Sequence, residues 1–356
     1  MLAAGLAIVA GIIATALGVL WLRSAGQIRP VLASDGGRIA TGIAEKVFVE
    51  INGTRQGMII RSANPSNPVL LFVHGGPAMP TYCLDRHYPT SLEADFTMVW
   101  WDQRGAGLSY RSDIPAETIN VQQIVDDTVA VADYLRARFG KEKIYLMGHS
   151  WGSFIGIQAA AKAPEGFHAY IGVGQVTHQL TSERLAYDYM LSAYRTRKDE
   201  KMVRKLEGSG FAMTVPLPNA YMAIRDSATH ALGVGTTRKM RSVISGLFLP
   251  SWLSPEYTLR EKLNIWRGKW SAHSTRLWND VLSSDIRAVV LKLAIPVHFF
   301  HGRHDYTVSL ELAKAYLEQM EAPLKRFHVF EDSAHSPIFE EPERARAILR
   351  EELLCS

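Results

Sequence analysis

Five residues limit most strongly what this chain can fold into: Gly148-His149-Ser150-Trp151-Gly152 stand between the apolar run Lys143–Met147 and the small, apolar stretch Phe154–Lys162. The run before them suits a buried strand, and the stretch after them suits a buried helix. A turn from strand to helix this sharp needs glycine two places before and two places after the serine, where side chains would strike neighbouring backbone. It exposes the serine hydroxyl at the strand's C-terminal end. The helix N-terminus beside it favours negative charge developing there.

The rest of the chain supplies a matching frame. Short apolar runs recur at Val69–Val73, Thr97–Trp101, Ala169–Val173, Pro296–Phe300 and Arg326–Phe330. Val121–Phe139 keeps Ile124, Val125, Thr128, Val131, Ala132 and Leu135 at helical spacing. Continuous apolar strands alternating with helices predict a mostly parallel α/β sheet flanked by helices. Asn52-Gly53, between Ala44–Ile51 and Gln56–Ser62, predicts an antiparallel hairpin ahead of it. From His178 to Leu293 the alternation stops, and a helical, tryptophan-bearing, charged stretch reads as a cap inserted over the sheet. A chain of 356 residues, 47% of them hydrophobic, can bury one large core and a covering subdomain.

Leu2–Leu22 contains no charged residue and is long enough to cross a hydrocarbon core of about 30 Å. It reads as a single-pass membrane anchor and not as a cleaved signal, because no Lys or Arg precedes it and no small-residue cleavage site follows Trp21. Arg23, Arg29 and Arg38 behind it point to a cytoplasmic catalytic domain. The expected organisation is an anchor over 2–22, a linker over 23–43, core halves over 44–177 and 294–356, and a helical cap over 178–293. A net charge of +4, dispersed along the chain, argues against nucleic acid as a partner. Cys83 and Cys355 read as free thiols, and the sequence carries no signal of oligomeric state. With no phosphate loop, dinucleotide loop or metal-ligand spacing, no cofactor and no metal are expected.

Serine at its ordinary pKa is a poor nucleophile, so a base and an orienting acid should follow in the order serine, acid, histidine. Asp305 lies in Gly302-Arg303-His304-Asp305, just beyond the strand Pro296–Phe300. His335 lies in Asp332-Ser333-Ala334-His335-Ser336-Pro337, just beyond the strand Arg326–Phe330. These are the expected acid and base for Ser150. His301 and His304 compete for the base, and Asp285 and Asp332 for the acid, from less suitable places. The oxyanion donors are expected from the backbone N–H of Trp151 and that of Gly76 in His74-Gly75-Gly76-Pro77. His74 reads as structural.

Taken together, His74-Gly75-Gly76-Pro77, Trp101-Asp102-Gln103-Arg104-Gly105-Ala106-Gly107-Leu108-Ser109 and Gly148-His149-Ser150-Trp151-Gly152 resemble the proline iminopeptidase family of α/β-hydrolases. The resemblance implies the α/β-hydrolase fold and a Ser-His-Asp triad working through an acyl-enzyme. It implies release of an N-terminal residue from short peptides, with acidic cap residues binding the free amine. Glu183, Asp188 and Glu200 are candidates for that role by their position in the cap. Asp102-Gln103-Arg104-Gly105 looks like the family's loop bracing the active-site floor. Two alternatives stay open: a carboxylesterase or lactonase whose apolar pocket uses Trp252, Tyr257, Trp266, Trp270 and Trp278, and a non-catalytic binding protein on the same scaffold.

Overall fold

The computed structural model describes residues 11, 14, 15, 18–33, 36–272 and 275–355. Eight strands form one sheet in the order β1-β2-β4-β3-β5-β6-β7-β8. β1 (Ile43–Ile51) and β2 (Thr54–Ser62) form the antiparallel hairpin. Asn52 and Gly53 turn it at φ of 46° and 73°, the positive angles that a two-residue hairpin turn demands. The Asn52 side-chain amide donates to Asp127 at 2.9 Å, which ties this exposed turn to the helix Val121–Phe139.

β2 pairs antiparallel with β4 (Thr97–Trp101), and every later pairing is parallel. The remaining strands are β3 (Val69–Val73), β5 (Ile144–His149), β6 (Phe167–Val173), β7 (Val297–Gly302) and β8 (Lys325–Phe330). Their unbroken apolar runs follow from burial on both faces. Leu71, Val73, Val99, Trp101 and Leu146 pack with the helices Val121–Phe139 and Trp151–Lys162. The alternate residues Leu70, Phe72, Met98, Trp100 and Met147 pack on the other face with Tyr82, Leu84, Ile338 and Leu349.

Between β6 and β7 lies the inserted helical segment, whose longer helices are Gln179–Thr196, Asn219–Leu232 and Leu259–Ala272. It has an apolar cluster of its own, with Met190, Tyr194, Leu206, Tyr221 and Leu232 buried together. Chain 23–33 docks on this segment: Gly26 N–H donates to Pro255 O at 2.9 Å, and the buried Lys262 ammonium donates to Arg23 O and, at 3.0 Å, to Ser24 Oγ.

The expected membrane anchor is corrected. Among the described residues no helix is long and apolar enough to cross a membrane. Much of Leu2–Leu22, namely 2–10, 12, 13, 16 and 17, lies outside the described residues. The absence of charge in that segment therefore supports neither the single-pass anchor nor the cytoplasmic placement drawn from it.

Candidate active site

Ser150 sits where β5 gives way to the helix Trp151–Lys162, with φ 56° and ψ −124°. For a residue with a side chain this is a sparsely populated conformation, costing on the order of 1–3 kcal/mol. The surroundings enforce it: Ser150 N–H donates to Val173 O on β6 at 2.9 Å. A Cβ on Gly152 would overlap the Val73 carbonyl oxygen on β3, and one on Gly148 would overlap the carbonyl of Gly152. The two glycines are thus required by the close approach of β3 and the first helical turn.

The parallel strands deliver Asp305 and His335 to the same sheet edge. Asp305 follows β7, His335 follows β8, and His335 Nδ1 lies 2.8 Å from Asp305 Oδ2. Asp305 Oδ1 accepts the N–H groups of Thr307 at 2.8 Å and Val308 at 2.9 Å, which orient the carboxylate. Burial pushes the Asp305 carboxyl upward, but the charge of His335 and hydrogen bonds from His301 and His335 outweigh it, holding it well below the ordinary range. His301 Nε2 sits 3.3 Å from Asp305 Oδ2 and 3.2 Å from Val308 O, wholly buried, where it braces the Asp305 carboxylate. His335 Nε2 is buried and has no hydrogen-bond partner among the described residues. Ser150 and His335 line one cavity of about 200 Å³, together with Gly75 and Gly76.

The loop carrying His335 hangs from Glu340. Its Oε1 accepts the N–H groups of Ala334 at 2.9 Å and Ser336 at 3.2 Å, and its Oε2 accepts that of Arg238 at 2.6 Å. Burial pushes this carboxyl up to about 7. His149, inside the elbow, has Nε2 3.0 Å from His335 O and ties the elbow to the same loop. Burial and the charge of His335 push its pKa down to about 3.

Gly76 and Trp151 meet Ser150 in a second, small cavity. Trp151 opens its helix, where a backbone N–H has no intrahelical acceptor. Gln103 joins the two loops: its Oε1 accepts Trp151 Nε1–H at 2.8 Å and its Nε2 donates to His74 O at 2.8 Å. His74 is held neutral in one tautomer, Nδ1–H donating to Gly75 O at 2.8 Å and Nε2 accepting Gln103 N–H at 3.1 Å. Burial pushes its pKa down to about 4. Arg104 anchors this loop through Asp127, with Nε at 2.7 Å and Nη2 at 3.0 Å, both side chains buried. Removing either charge would leave the other buried, at a cost of about 3–5 kcal/mol.

None of the acidic candidates Glu183, Asp188 and Glu200 lines the cavity. Glu183 is fully buried and saturated by Arg225 Nε and Nη2, each at 2.6 Å, Tyr221 Oη at 3.0 Å and Gln179 Nε2 at 3.0 Å. Asp188 pairs with Arg184 at 2.8 Å on an exposed helix face. The acid that does line the cavity is Asp226, one helical step from Arg225, whose Nη1 it accepts at 2.9 Å. Lys269 lines the same wall and donates to Pro77 O at 3.2 Å. Of the five cap aromatics, Trp266 lines the larger cavity and Trp278 the smaller, while Tyr257 is buried in the core, Trp252 is half-buried beside Phe248 and Trp270 is 81% exposed. Nothing local in the sequence separates Asp226 from its neighbours, because its position depends on how the helix Asn219–Leu232 docks.

Residues 68–342 match the model of the alpha/beta hydrolase fold family. The chain belongs to that family. It is 32% identical over 297 residues to the probable aminopeptidase YbaC of Bacillus subtilis, an alignment covering 83% of this chain and 91% of that protein. With the proline iminopeptidase of Heyndrickxia coagulans it shares 23% identity over 303 residues, 85% of this chain and 96% of the relative. The crystal structure of a proline iminopeptidase from Mycobacterium smegmatis superposes with a TM-score of 0.62 at 18% identity, covering 87% of this chain and 98% of that one. This α/β-hydrolase is proline iminopeptidase-like, and it is a hydrolase.

Proposed function

We propose that this hydrolase is a serine aminopeptidase that releases the N-terminal residue of short peptides through an acyl-enzyme. One observation carries the choice of substrate: Asp226, whose Oδ1 accepts from Arg225, lines the cavity that Ser150 and His335 line and is the acidic residue there that can pair with a substrate ammonium. His335 Nε2 takes the Ser150 proton as Oγ attacks the scissile carbonyl, and Asp305 holds the imidazole with Nδ1–H toward its own carboxylate. The N–H groups of Gly76 and Trp151 receive the developing oxyanion. The imidazolium then protonates the leaving amine, and water deacylates the serine with His335 again as base.

The names of the relatives, an aminopeptidase and a proline iminopeptidase, support the same reading. The test uses proline p-nitroanilide, its N-acetylated form and short-chain p-nitrophenyl esters. Anilide turnover abolished by Ser150→Ala and by N-acetylation, with KM raised at least about tenfold in Asp226→Asn, is the expected result. Ester turnover without anilide turnover would replace the aminopeptidase by an esterase.

A further inference from the structure

A second cluster of chemistry-bearing side chains lies away from Ser150, at the start of β7 and in β8. These strands pair in parallel, with His298 opposite Arg326 and Phe300 opposite His328. His298 and His328 are therefore diagonal neighbours on one face of the sheet. Their rings lie parallel, 2° apart in plane with centroids separated by 5.9 Å. Glu352, from the C-terminal helical turn Arg350–Leu354, reaches onto that face. Its Oε2 is 3.2 Å from His298 Nδ1 and 3.3 Å from His328 Nε2.

We propose that His298, His328 and Glu352 form a site for a divalent transition-metal ion of the zinc type, which fastens the C-terminal helical turn to the sheet. Two ligand atoms bound at about 2.0–2.1 Å to a tetrahedral ion are about 3.3 Å apart, the spacing found for both histidine-glutamate pairs. One ligand atom from each of the three residues lies within 4.8 Å of the others, so a modest rotation closes the set. Two imidazoles and a carboxylate suit zinc, cobalt or nickel better than calcium or magnesium. The histidine side chains are 1% and 13% exposed and that of glutamate 31%, so protein encloses one side and water can complete the coordination. Burial, His328 and Arg326 push the His298 pKa down to about 4, which keeps it in the neutral form that ligates.

The role is structural. About 13 Å of strand separates His298 from the end of β7 that leads to Asp305. The ion would act beside the Tyr145 hydroxyl, which donates to Leu353 O at 2.7 Å and already holds the same turn.

The experiment titrates the full-length, chelator-treated protein with Co²⁺ and follows visible absorption, then repeats the thermal melt with and without Zn²⁺. One equivalent of four-coordinate Co²⁺, displaced by Zn²⁺, is expected, with a rise in Tm. His328→Ala should abolish the bands, and Glu352→Gln, a change at a partly exposed side chain, should weaken binding at least tenfold. Ser150-dependent turnover should persist in both variants and report that they fold. An exposed control, His87→Ala, should bind as the parent does. Absence of the cobalt bands in the parent protein, or bands unchanged in Glu352→Gln, overturns the proposal.

Discussion

Gln103→Leu tests whether the loop after β4 holds the proposed oxyanion donors in place. Leucine fills nearly the same volume but neither accepts from Trp151 Nε1–H nor donates to His74 O, each now 2.8 Å from the glutamine amide. Trp151 and His74 are 2% and 1% exposed, so water does not replace either bond. A buried polar group stripped of its partner costs about 1–3 kcal/mol, giving about 2–6 kcal/mol for the pair. The backbone bond from Gln103 N–H to His74 Nε2 remains, so the loops stay adjacent but lose their cross-brace. Loss of one oxyanion donor costs on the order of 10²–10³ in kcat, and a displaced donor less, so kcat should fall about 10–100-fold with KM nearly constant. Urea denaturation followed by tryptophan fluorescence, with turnover of the best anilide or ester substrate, measures both quantities. A variant within about 0.5 kcal/mol of the parent, or one with full kcat, would refute the bracing argument.

Asp305→Asn should lower kcat by roughly 10⁴ without unfolding the protein, because an amide whose oxygen faces the Thr307 and Val308 N–H groups turns its NH₂ toward His335 Nδ1 and imposes the wrong tautomer. A pH profile of kcat that keeps both its height and its shape would contradict this. Gly152→Ala should cost more than about 3 kcal/mol, since the new methyl overlaps the Val73 carbonyl oxygen and strand and helix must part to admit it; a thermal melt equal to the parent's would count against that contact. His74 and His149, depressed to about 4 and about 3, are uncharged in the fold but protonate in the unfolded chain near their ordinary value. Their contribution is therefore present above about pH 6.5 and lost as the pH falls, by about 4 kcal/mol in total on reaching about pH 5. The Lys269 charge adds to the depression of His74, and the His335 charge to that of His149, while Asp305 opposes the latter. Urea midpoints measured between neutral pH and about pH 5 check the slope, and a flat profile would show that these imidazoles are not held neutral.

The sharp turn at Ser150 and the places of Asp305 and His335 just beyond their strands were legible because each is a local event with a local signature. Gly148 and Gly152 are demanded by one sharp turn, and Asp305 and His335 each follow an apolar run that must be a strand. Parallel strands then bring their C-terminal ends to one edge whatever lies between them. The hairpin at Asn52-Gly53 was legible for the same reason, since only backbone angles decide it.

Long-range docking decided the rest. Glu183 and Asp226 look alike in sequence and Arg225 pairs with both, yet Glu183 is wholly buried and Asp226 stands exposed at the cavity wall. Asp188, with Arg184 one helical turn away, was spent on the surface. Gln103 and Trp151 are 48 residues apart, and Glu340, which holds the His335 loop, accepts from Arg238, 102 residues away. The His298, His328 and Glu352 cluster shows no ligand spacing because two strands and a terminal turn supply one residue each. The uncharged N-terminal stretch pointed to a membrane, and no described helix can cross one. The sequence by itself determined the sheet, the turn that carries Ser150 and the places of Asp305 and His335 at strand ends, because backbone sterics and hydrophobic period act over a few residues. Only the tertiary structure decided which charges face the cavity and which are buried in pairs, because that depends on burial, and burial is set by elements far apart in the chain.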